Sequence, residues 1–400
     1  MSEGNDSPGP ARVLFLAALC AMPPLSTDMY LVAIPHLAEM WEAPTNVINL
    51  SLVLWFVAFS ISLLIFGSLS DRVGRRPVIL GGLAVFVIAS ALCALASNPT
   101  QLIAFRILQG IAAAAPSSMS MAYCRDKFSG QARQRLLAWL GIIVAIAPMV
   151  APSIGALVMR FAPWQTIFWA LSSFSLTLLV LCWFFFDESS SERDKGGVFN
   201  ALKRYGRLSR NGNFVLANFS MCLITAPVLG YVGISSIIYM EHFHLSESAF
   251  ALMFGTVPLS SMIGAFLCSR MIARFSDRKM IFWSICGCVA ASLVVLSVGG
   301  LHVAAFAIGM GFFGFFTGVS RPLANHLVLE QVDRDIGAAS STIIFTQFMA
   351  GALCMAYTTA GWSHPIVALG ALTLIVPGAV LASWPLIQRR LQFTGAPQAA

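Results

Sequence analysis

The chain has 400 residues, of which 58% are apolar and 10% are charged, and its mean hydropathy is +0.81. A soluble domain usually carries about a quarter charged residues, so this composition excludes a water-soluble fold. Spans of about 20 residues leave room for roughly 10 to 14 membrane helices and for no catalytic domain outside the membrane. The net charge of +7 comes from short basic groups between apolar runs, so we expect no nucleic-acid partner.

Apolar runs long enough to cross a bilayer occur in two sets of six. The first run follows a polar N-terminus and is long enough to span, so we expect a first helix and not a cleaved signal peptide. The runs lie near residues 13–36, 48–70, 77–97, 100–122, 136–159 and 165–186, and then near 213–239, 249–270, 280–299, 303–326, 337–360 and 365–387. This pattern predicts an all-α membrane protein with twelve transmembrane helices around a central cavity. The predicted halves are residues 1–187 and 213–400, the second with a short cytoplasmic tail, joined by a polar linker over 188–212.

The distribution of basic residues predicts the orientation of these helices. Twenty-one of the 24 Lys and Arg residues lie at the chain ends, in the linker or in the even-numbered loops. Basic flanks are retained on the cytoplasmic side, so both termini are predicted to be cytoplasmic in a bacterial-type inner membrane. A Ser-Asp-Arg sequence at 70–72 recurs 206 residues later at 276–278, which indicates that the two halves are repeats.

Asp28 is the one carboxylate, of seventeen Asp and Glu residues, that falls inside a predicted span. An ionisable group in hydrocarbon is costly and is therefore a functional candidate. Pro23 and Pro24 precede it and lack N–H donors, so we expect the first helix to loosen or kink there. Asp28 could exchange its proton against a substrate. Alternatively, it could be tied permanently to nearby hydroxyl groups or to a neighbouring helix as a structural element.

Two arginines also fall within predicted spans. Arg106 is followed three and four residues later by Gln109 and Gly110, which places a cation, an amide and a close-packing notch on one helical face. In a cavity with Asp28 it would respond to the protonation of that residue, and the alternative is a simple anchor at the membrane interface. Arg321 precedes Pro322 near the end of its span, where it could act in function or extend toward the headgroups.

The segment between the second and third spans reads Gly67-Ser-Leu-Ser-Asp71-Arg72-Val-Gly74-Arg75-Arg76-Pro77, with glycines expected at both ends of a tight turn. This pattern resembles the loop signature of the major facilitator superfamily. Residues 106–110 are similar to the RxxQG element of its proton-coupled branch, and residues 147–155 resemble the fifth-helix element of its antiporters. Residues 26–31 resemble the first helix of the bicyclomycin/chloramphenicol-resistance type of drug/proton antiporter. The sequence departs from these patterns at Val32, at Ala151 and in the second-half loop, which lacks the GRR residues.

The resemblance implies alternating access by rocking of the two halves, with no cofactor and with the proton gradient as the energy source. It implies that Asp28 and Arg106 couple protons, and that Asp71 gates the cytoplasmic side by capping or pairing with a helix of the other half; the alternative is that Asp71 only determines topology. The other residues assigned to gating are Gly67, Arg72, Gly74, Arg75, Arg76, Pro148, Pro152 and Gly155. The expected partners are a small-molecule substrate, protons and the lipid bilayer, and the protein is expected to be a monomer.

Aromatic and amide side chains are candidates for the substrate cavity. An aromatic lining suits lipophilic or cationic substrates through stacking and cation–π contacts, although each ring could instead face lipid or a neighbouring helix. The candidates are Tyr30, Trp55, Phe56, Gln109, Trp139, Tyr231, Phe312, Phe316, Phe345 and Gln347. His242 and His244 in an outer loop could bind a metal or sense pH, but solvated histidines are the simpler interpretation, and no metal site is predicted.

The leading hypothesis is therefore a proton-coupled exporter of small molecules, of the multidrug-efflux type. Export of an endogenous metabolite or a siderophore-like compound, and facilitated uptake of a nutrient, are the alternatives among transporters. A membrane receptor or scaffold is the non-transport alternative, although it would have no use for Asp28 facing a cavity. No catalytic cluster can be assembled at membrane depth and no GxxxxGK[ST] motif is present, so we predict neither an enzyme nor a nucleotide-driven pump.

Overall fold

The computed structural model describes residues 9–189 and 197–391, with side chains described from residue 203 in the second stretch. Among these residues, twelve helical spans are long and apolar enough to cross a membrane. Every regular element in these residues is helical, so the predicted all-α class and the twelve spans are confirmed. In chain order the spans are Pro10–Met40, Thr45–Val73, Arg75–Ala94, Pro99–Lys127, Gly130–Phe161, Gln165–Phe185, Gly212–His242, Glu247–Met271, Asp277–Val298, Val303–Leu329, Ile336–Thr358 and Pro365–Arg390, and we number them 1 to 12.

Three spans are not continuous α-helices. Span 1 consists of an α-helix at Pro10–Asp28, a 3-10 turn at Leu31–Ala33 and a short α-helix at Ile34–Met40. Span 7 is divided at Ala226, before Pro227, and ends in a π-helical segment at Ile237–His242. Span 8 is divided at Gly255. Proline lacks an N–H and glycine weakens a helix, so these interruptions fall where the local sequence permits them.

The described chain forms two compact units. The first contains the described residues of Met1–Ala33 and Leu54–Ala201, and the second those of Ile34–Val53 and Leu202–Ala400. Within the predicted linker, residues 190–196 lie outside the described residues, and Gly197–Arg210 form a helix that belongs mostly to the second unit. Arg207 of this helix donates to Asp335 at 2.8 Å. The division into six-helix halves at 187 and 213 remains a prediction.

The turn between spans 2 and 3 differs from its prediction at one end. Gly67 lies inside the helix of span 2, which continues to Val73, and only Gly74 forms the break, with a φ of 106°. A positive φ of this size favours glycine. Gly67 instead has no heavy atom within 4 Å of the place where a Cβ would be. The helix therefore needs one glycine at this turn and not two.

The repeated Ser-Asp-Arg sequence does not occupy the same structural position in the two halves. Asp71 lies in the last turn of span 2, before the break, whereas Asp277 is the first residue of span 9, after the break. Arg278 donates from Nε and Nη2 to Gln388 Oε1 at 3.0 and 2.6 Å. The two copies therefore make different contacts, although their sequences match.

Candidate functional site

Asp28 lies at the point where the first helix of span 1 ends. Pro23 and Pro24 sit one turn earlier and remove two backbone donors from the helix. The hydroxyl of Ser26 donates back to the Pro23 carbonyl at 3.0 Å, a local bond that competes with regular helical pairing. The chain then turns at Met29 and Tyr30 and resumes as a 3-10 turn. The helix continues through Pro23 and Pro24 and ends at Asp28, so the break lies one turn after the proline pair, and the predicted loosening at the pair itself remains a prediction.

The Asp28 side chain is buried and is held by its neighbour. Only 5% of Asp28 is exposed, and Thr27 Oγ1 lies 2.8 Å from Asp28 Oδ1. The same hydroxyl lies 3.1 Å from the Pro23 carbonyl oxygen and 3.3 Å from that of Pro24. A hydroxyl carries a single proton, so Thr27 can donate to only one of these acceptors at a time. The site therefore contains a donor with alternative acceptors, one of which is the carboxyl group.

Arg106 of span 4 is fully buried and reaches the backbone of span 1. Its Nη1 donates to the Ser26 carbonyl oxygen at 3.0 Å and also to Gln109 Oε1. Gln109 Nε2 in turn donates to Ser90 Oγ of span 3 at 2.8 Å. The Ser26 carbonyl belongs to the last turn of a helix, where carbonyls lack intrahelical donors and a cation is favourable. Arg106 therefore caps the broken helix two residues before Asp28.

Aromatic rings surround the remainder of the Arg106 guanidinium. Its Cζ lies 4.9 Å from the ring centroid of Tyr30, 5.7 Å from that of Trp55 and 5.8 Å from that of Phe168. Arg106 Nε and Nη2 have no hydrogen-bond acceptor among the described residues. Ring faces are electron-rich and attract a cation within about 6 Å, which offsets part of the cost of burying it. The predicted cavity residues Tyr30, Trp55 and Gln109 therefore lie together around Arg106, and all three are fully buried.

Two glycines allow neighbouring helices to approach this site. A Cβ on Gly155 of span 5 would overlap the carbonyl oxygen of Met29, the residue after Asp28. A Cβ on Gly110 of span 4 would lie 2.5 Å from the carbonyl oxygen of Trp55. Contacts of this kind with backbone atoms leave room for no larger residue. Gly155 follows Pro148 and Pro152, which lie inside the continuous helix of span 5.

The predicted gating residues form a charged network at the turn between spans 2 and 3. Asp71 Oδ1 pairs with Arg75 Nη1 at 2.7 Å, and Arg75 Nε contacts Asp126 Oδ2 at 3.2 Å. Arg75 Nη1 also donates to Ser70 Oγ, and Arg76 Nη2 donates to the Trp183 carbonyl at 2.7 Å. These contacts all lie within the first unit. The expected contact of Asp71 with the other half remains a prediction, as does the gating role of all the residues assigned to it.

Glu188 is a member of this network that the sequence did not reveal. Its two carboxylate oxygens accept from the backbone N–H groups of Arg75, at 2.9 Å, and Arg76, at 3.2 Å. Free N–H groups at a helix N-terminus require acceptors, and Gly74 at the N-cap has no side chain to supply one. That missing acceptor is a signal in the sequence, but nothing in the sequence identifies a residue more than a hundred positions away.

The remaining cavity candidates are dispersed. Phe56 is buried, with its ring 5.0 Å from that of Trp55. Trp139 is 55% exposed, and Tyr231 is fully buried with its hydroxyl 3.5 Å from the Phe254 carbonyl oxygen. Phe345 is half-buried.

The candidates on spans 10 and 11 do not form one site either. Phe312 lines an apolar cleft of about 420 Å³ between spans 8 and 10, whereas Phe316 packs against Gly287 of span 9. Gln347 Nε2 donates to Thr225 Oγ1 at 3.4 Å. His242 stacks edge to face on Phe243, and the described residues include no group of three or more His, Cys, Asp or Glu that could hold a metal.

The described residues form twelve spans, and a buried carboxyl group lies at the break in the first, where Arg106 of span 4 contacts the backbone. This arrangement is typical of a multi-pass membrane transporter. A family model described as Major Facilitator Superfamily matches residues 14–355 and 221–392. The chain belongs to the major facilitator superfamily, which confirms the resemblance found in the sequence. This superfamily consists of transporters, so the protein is a transporter and not an enzyme.

Named relatives cover nearly the whole chain. The chain is 27% identical over 377 residues to the uncharacterized MFS-type transporter YdgK of Bacillus subtilis, covering 93% of this chain and 92% of that protein. It is 28% identical over 361 residues to the multidrug resistance protein MdtL of Escherichia fergusonii, covering 90% and 89%.

Solved structures share the fold. One is a bacterial homologue of the human lysosomal transporter Spinster in an inward-facing, occupied conformation, with a TM-score of 0.75, 12% identity and coverage of 97% and 98%. Another is a D-xylose-proton symporter, with a TM-score of 0.71, 14% identity and coverage of 96% and 99%. At these identities the likeness concerns the fold alone.

Proposed function

We propose that this protein is a proton-coupled secondary transporter that exports small, largely lipophilic molecules across a bacterial inner membrane by alternating access. The observation that carries the proposal is the buried Asp28 carboxyl group at the break in span 1, two residues after a carbonyl that Arg106 caps. A carboxyl group there can hold a proton or a negative charge, and each state suits a different set of neighbours. Both termini are proposed to be cytoplasmic and the protein to act as a monomer.

Thr27 and Arg106 give the two protonation states different hydrogen bonds. When Asp28 is charged, the Thr27 hydroxyl donates to its Oδ1, and the Arg106 guanidinium nearby favours the negative charge. When Asp28 carries a proton, the Thr27 hydroxyl is free to donate to the Pro23 carbonyl, 3.1 Å away. Uptake and release of the proton therefore change the bonding of the last helical turn of span 1. A hinge at this turn would convert that local change into movement of the helix ends.

The relatives support export in preference to uptake. MdtL is named as a multidrug resistance protein, and it aligns with about nine-tenths of this chain. The D-xylose-proton symporter has the same fold but is a symporter by name, so the fold itself does not fix the direction. Export of a metabolite or siderophore-like compound, uptake of a nutrient, and a receptor role are the alternatives that an experiment must separate.

Everted membrane vesicles provide the test. With an imposed gradient that acidifies the vesicle interior, an exported substrate enters the vesicle as protons leave, and a fluorescent ΔpH probe recovers its signal. The panel contains lipophilic cations, neutral antibiotics and organic acids. We expect at least one class to discharge the gradient with the wild-type chain and none with Asp28→Asn.

Glu39→Gln is the matched control, because Glu39 is an exposed carboxylate on the same span. It should behave as wild type. Equal discharge by wild type and Asp28→Asn would contradict proton coupling at Asp28. Movement of substrate without any dependence on the gradient would favour a facilitator, and ligand binding without transport would favour a receptor.

A further inference from the structure

A polar recess lies within the second unit, and none of its residues has been assigned a role in proton coupling. It is lined by Arg321 and Asn325 of span 10, by Asn218 and Thr225 of span 7, and by Gln347 of span 11. Its volume is about 10 Å³, which is room for roughly one water-sized group. A single functional group of a ligand can therefore enter it, but a whole molecule cannot.

Arg321 is the charged residue of this recess. It has no ion-pair or hydrogen-bond partner among the residues that the structure describes, and its side chain is exposed and forms part of the recess lining. It lies about 12 Å along the helix before the end of span 10 at Leu329. A cation at such a depth is costly unless it is paired or faces a water-filled space. The guanidinium therefore has N–H donors available for a group that occupies the recess.

The neighbouring polar groups are already bonded to each other. Asn218 Nδ2 donates to Thr346 Oγ1 at 2.9 Å, and Gln347 Nε2 donates to Thr225 Oγ1 at 3.4 Å. Cys222 Sγ donates to Asn218 Oδ1 at 3.5 Å. These bonds fix Asn218 and Gln347 against the recess wall and leave the Arg321 guanidinium, with the Asn325 amide beside it, to donate into the recess. Such a site favours an oxyanion and repels a cation, which differs from the cationic substrates that the aromatic residues suggested.

We propose that Arg321 binds the carboxylate of the transported molecule, so that the substrates are lipophilic organic acids. This inference rests on the proposed transport function and gives it a substrate class. A planar carboxylate can accept two parallel N–H···O bonds from the guanidinium fork, which gives both affinity and orientation. Lysine offers one compact ammonium and cannot reproduce this pairing, so Arg321→Lys should restore only part of the affinity.

Binding to the purified full-length protein tests this without any proton gradient. The probes are 1-naphthaleneacetate, its methyl ester and the (1-naphthylmethyl)trimethylammonium ion, which share one ring system and differ in charge. Wild type should bind the acid more tightly than the ester and the ammonium ion least. Arg321→Gln should weaken acid binding about tenfold or more and leave ester binding unchanged. Arg270→Gln, an exposed arginine at the end of span 8, is the matched control and should bind the acid like wild type.

The outcomes separate this inference from the proposed function. The inference is overturned if wild type binds the acid and the ester equally, or binds neither measurably. It is also overturned if Arg321→Gln and Arg321→Lys each weaken the binding of the acid and of the ester by the same factor. If the acid binds through Arg321 but never discharges a gradient in vesicles, the inference holds and proton-coupled export fails. If other compounds discharge the gradient through Asp28 while Arg321→Gln has no effect on the acid, export holds and the inference fails.

Discussion

Arg106 Nη1 donates a hydrogen bond to the Ser26 carbonyl oxygen at 3.0 Å, joining span 4 to the last turn of the broken helix that ends at Asp28. The cation therefore contacts the backbone beside the carboxyl group, and its position depends on the helix break. Because Gln109 also accepts from Arg106 and is itself held by Ser90, the guanidinium is fixed from both sides. A residue placed in this way would respond to any rearrangement of the Asp28 turn.

Arg106→Lys should lower transport about tenfold or more while leaving the protein folded. An ammonium group cannot reach the Ser26 carbonyl and Gln109 together and stack on the surrounding rings, and hydrogen bonds to charged groups are worth about 1.5 to 3 kcal/mol. Arg160→Lys is the control, since Arg160 at the exposed end of span 5 also lies over a ring, that of Phe161. Initial rates of gradient discharge measure the effect. Comparable rates for the two variants would contradict a specific role of Arg106.

Thr27→Val should reduce turnover several-fold, and Thr27→Ser should retain most of it. Valine has nearly the shape of threonine but no hydroxyl, so the charged form of Asp28 loses a hydrogen bond worth about 1 to 3 kcal/mol. Serine keeps the donor. Rates of substrate efflux from loaded proteoliposomes, compared at equal protein density, provide the measurement. If valine and serine have the same effect, the hydroxyl has no part in coupling and only the methyl group contributes through packing.

Gly155→Ala should destabilise the protein by about 1 to 3 kcal/mol, because the added Cβ meets the backbone oxygen of Met29 and one of the helices must move. Gly141→Ala lies on the same helix with nothing within 4 Å of the new Cβ. It should be neutral or gain up to about 1 kcal/mol from the better helix former. Thermal unfolding in detergent compares the two. Equal stability would show that the close contact of spans 1 and 5 does not persist in solution.

Glu188→Ala should lower stability by about 0.5 to 2 kcal/mol through loss of the acceptor for the Arg75 and Arg76 backbone N–H groups. Asp187→Asn changes the adjacent exposed carboxylate and should have little effect. The hydrogen-exchange rates of the backbone amides at the start of span 3 report on this cap directly. Faster exchange is expected only in the Glu188 variant. If the backbone amides of Arg75 and Arg76 keep their protection from exchange in that variant, the assignment of Glu188 as the cap is contradicted.

The sequence predicted the spans well because hydrophobic length is a local property. The loss of two N–H donors at Pro23 and Pro24 can also be read from the residues themselves, but the helix ends one turn later, at Asp28. The motif predicts that Gly67 lies in the turn, yet the helix continues to Val73. A motif identifies a family, but the φ angle at Gly74 decides where the helix ends.

Contacts between distant residues could not be predicted in the same way. Spacing placed Gln109 beside Arg106, but nothing in the sequence showed that both would be fully buried with Tyr30 and Trp55 as their lining. Phe312 and Phe316 are four residues apart, a spacing that places both on one helix face, yet Phe312 lines a cleft and Phe316 packs on Gly287. Helical periodicity shows which residues share a face, but the neighbouring helices decide what that face contacts.

Exchange of a proton at Asp28 against substrate is most directly measured in weakly buffered detergent solution with a pH-sensitive dye. We predict that adding a transported substrate to the purified wild-type protein releases protons into the solution in an amount proportional to the protein. Asp28→Asn should fold but release no protons. The control Glu39→Gln should release as many protons as wild type. Undiminished proton release from Asp28→Asn would contradict the account.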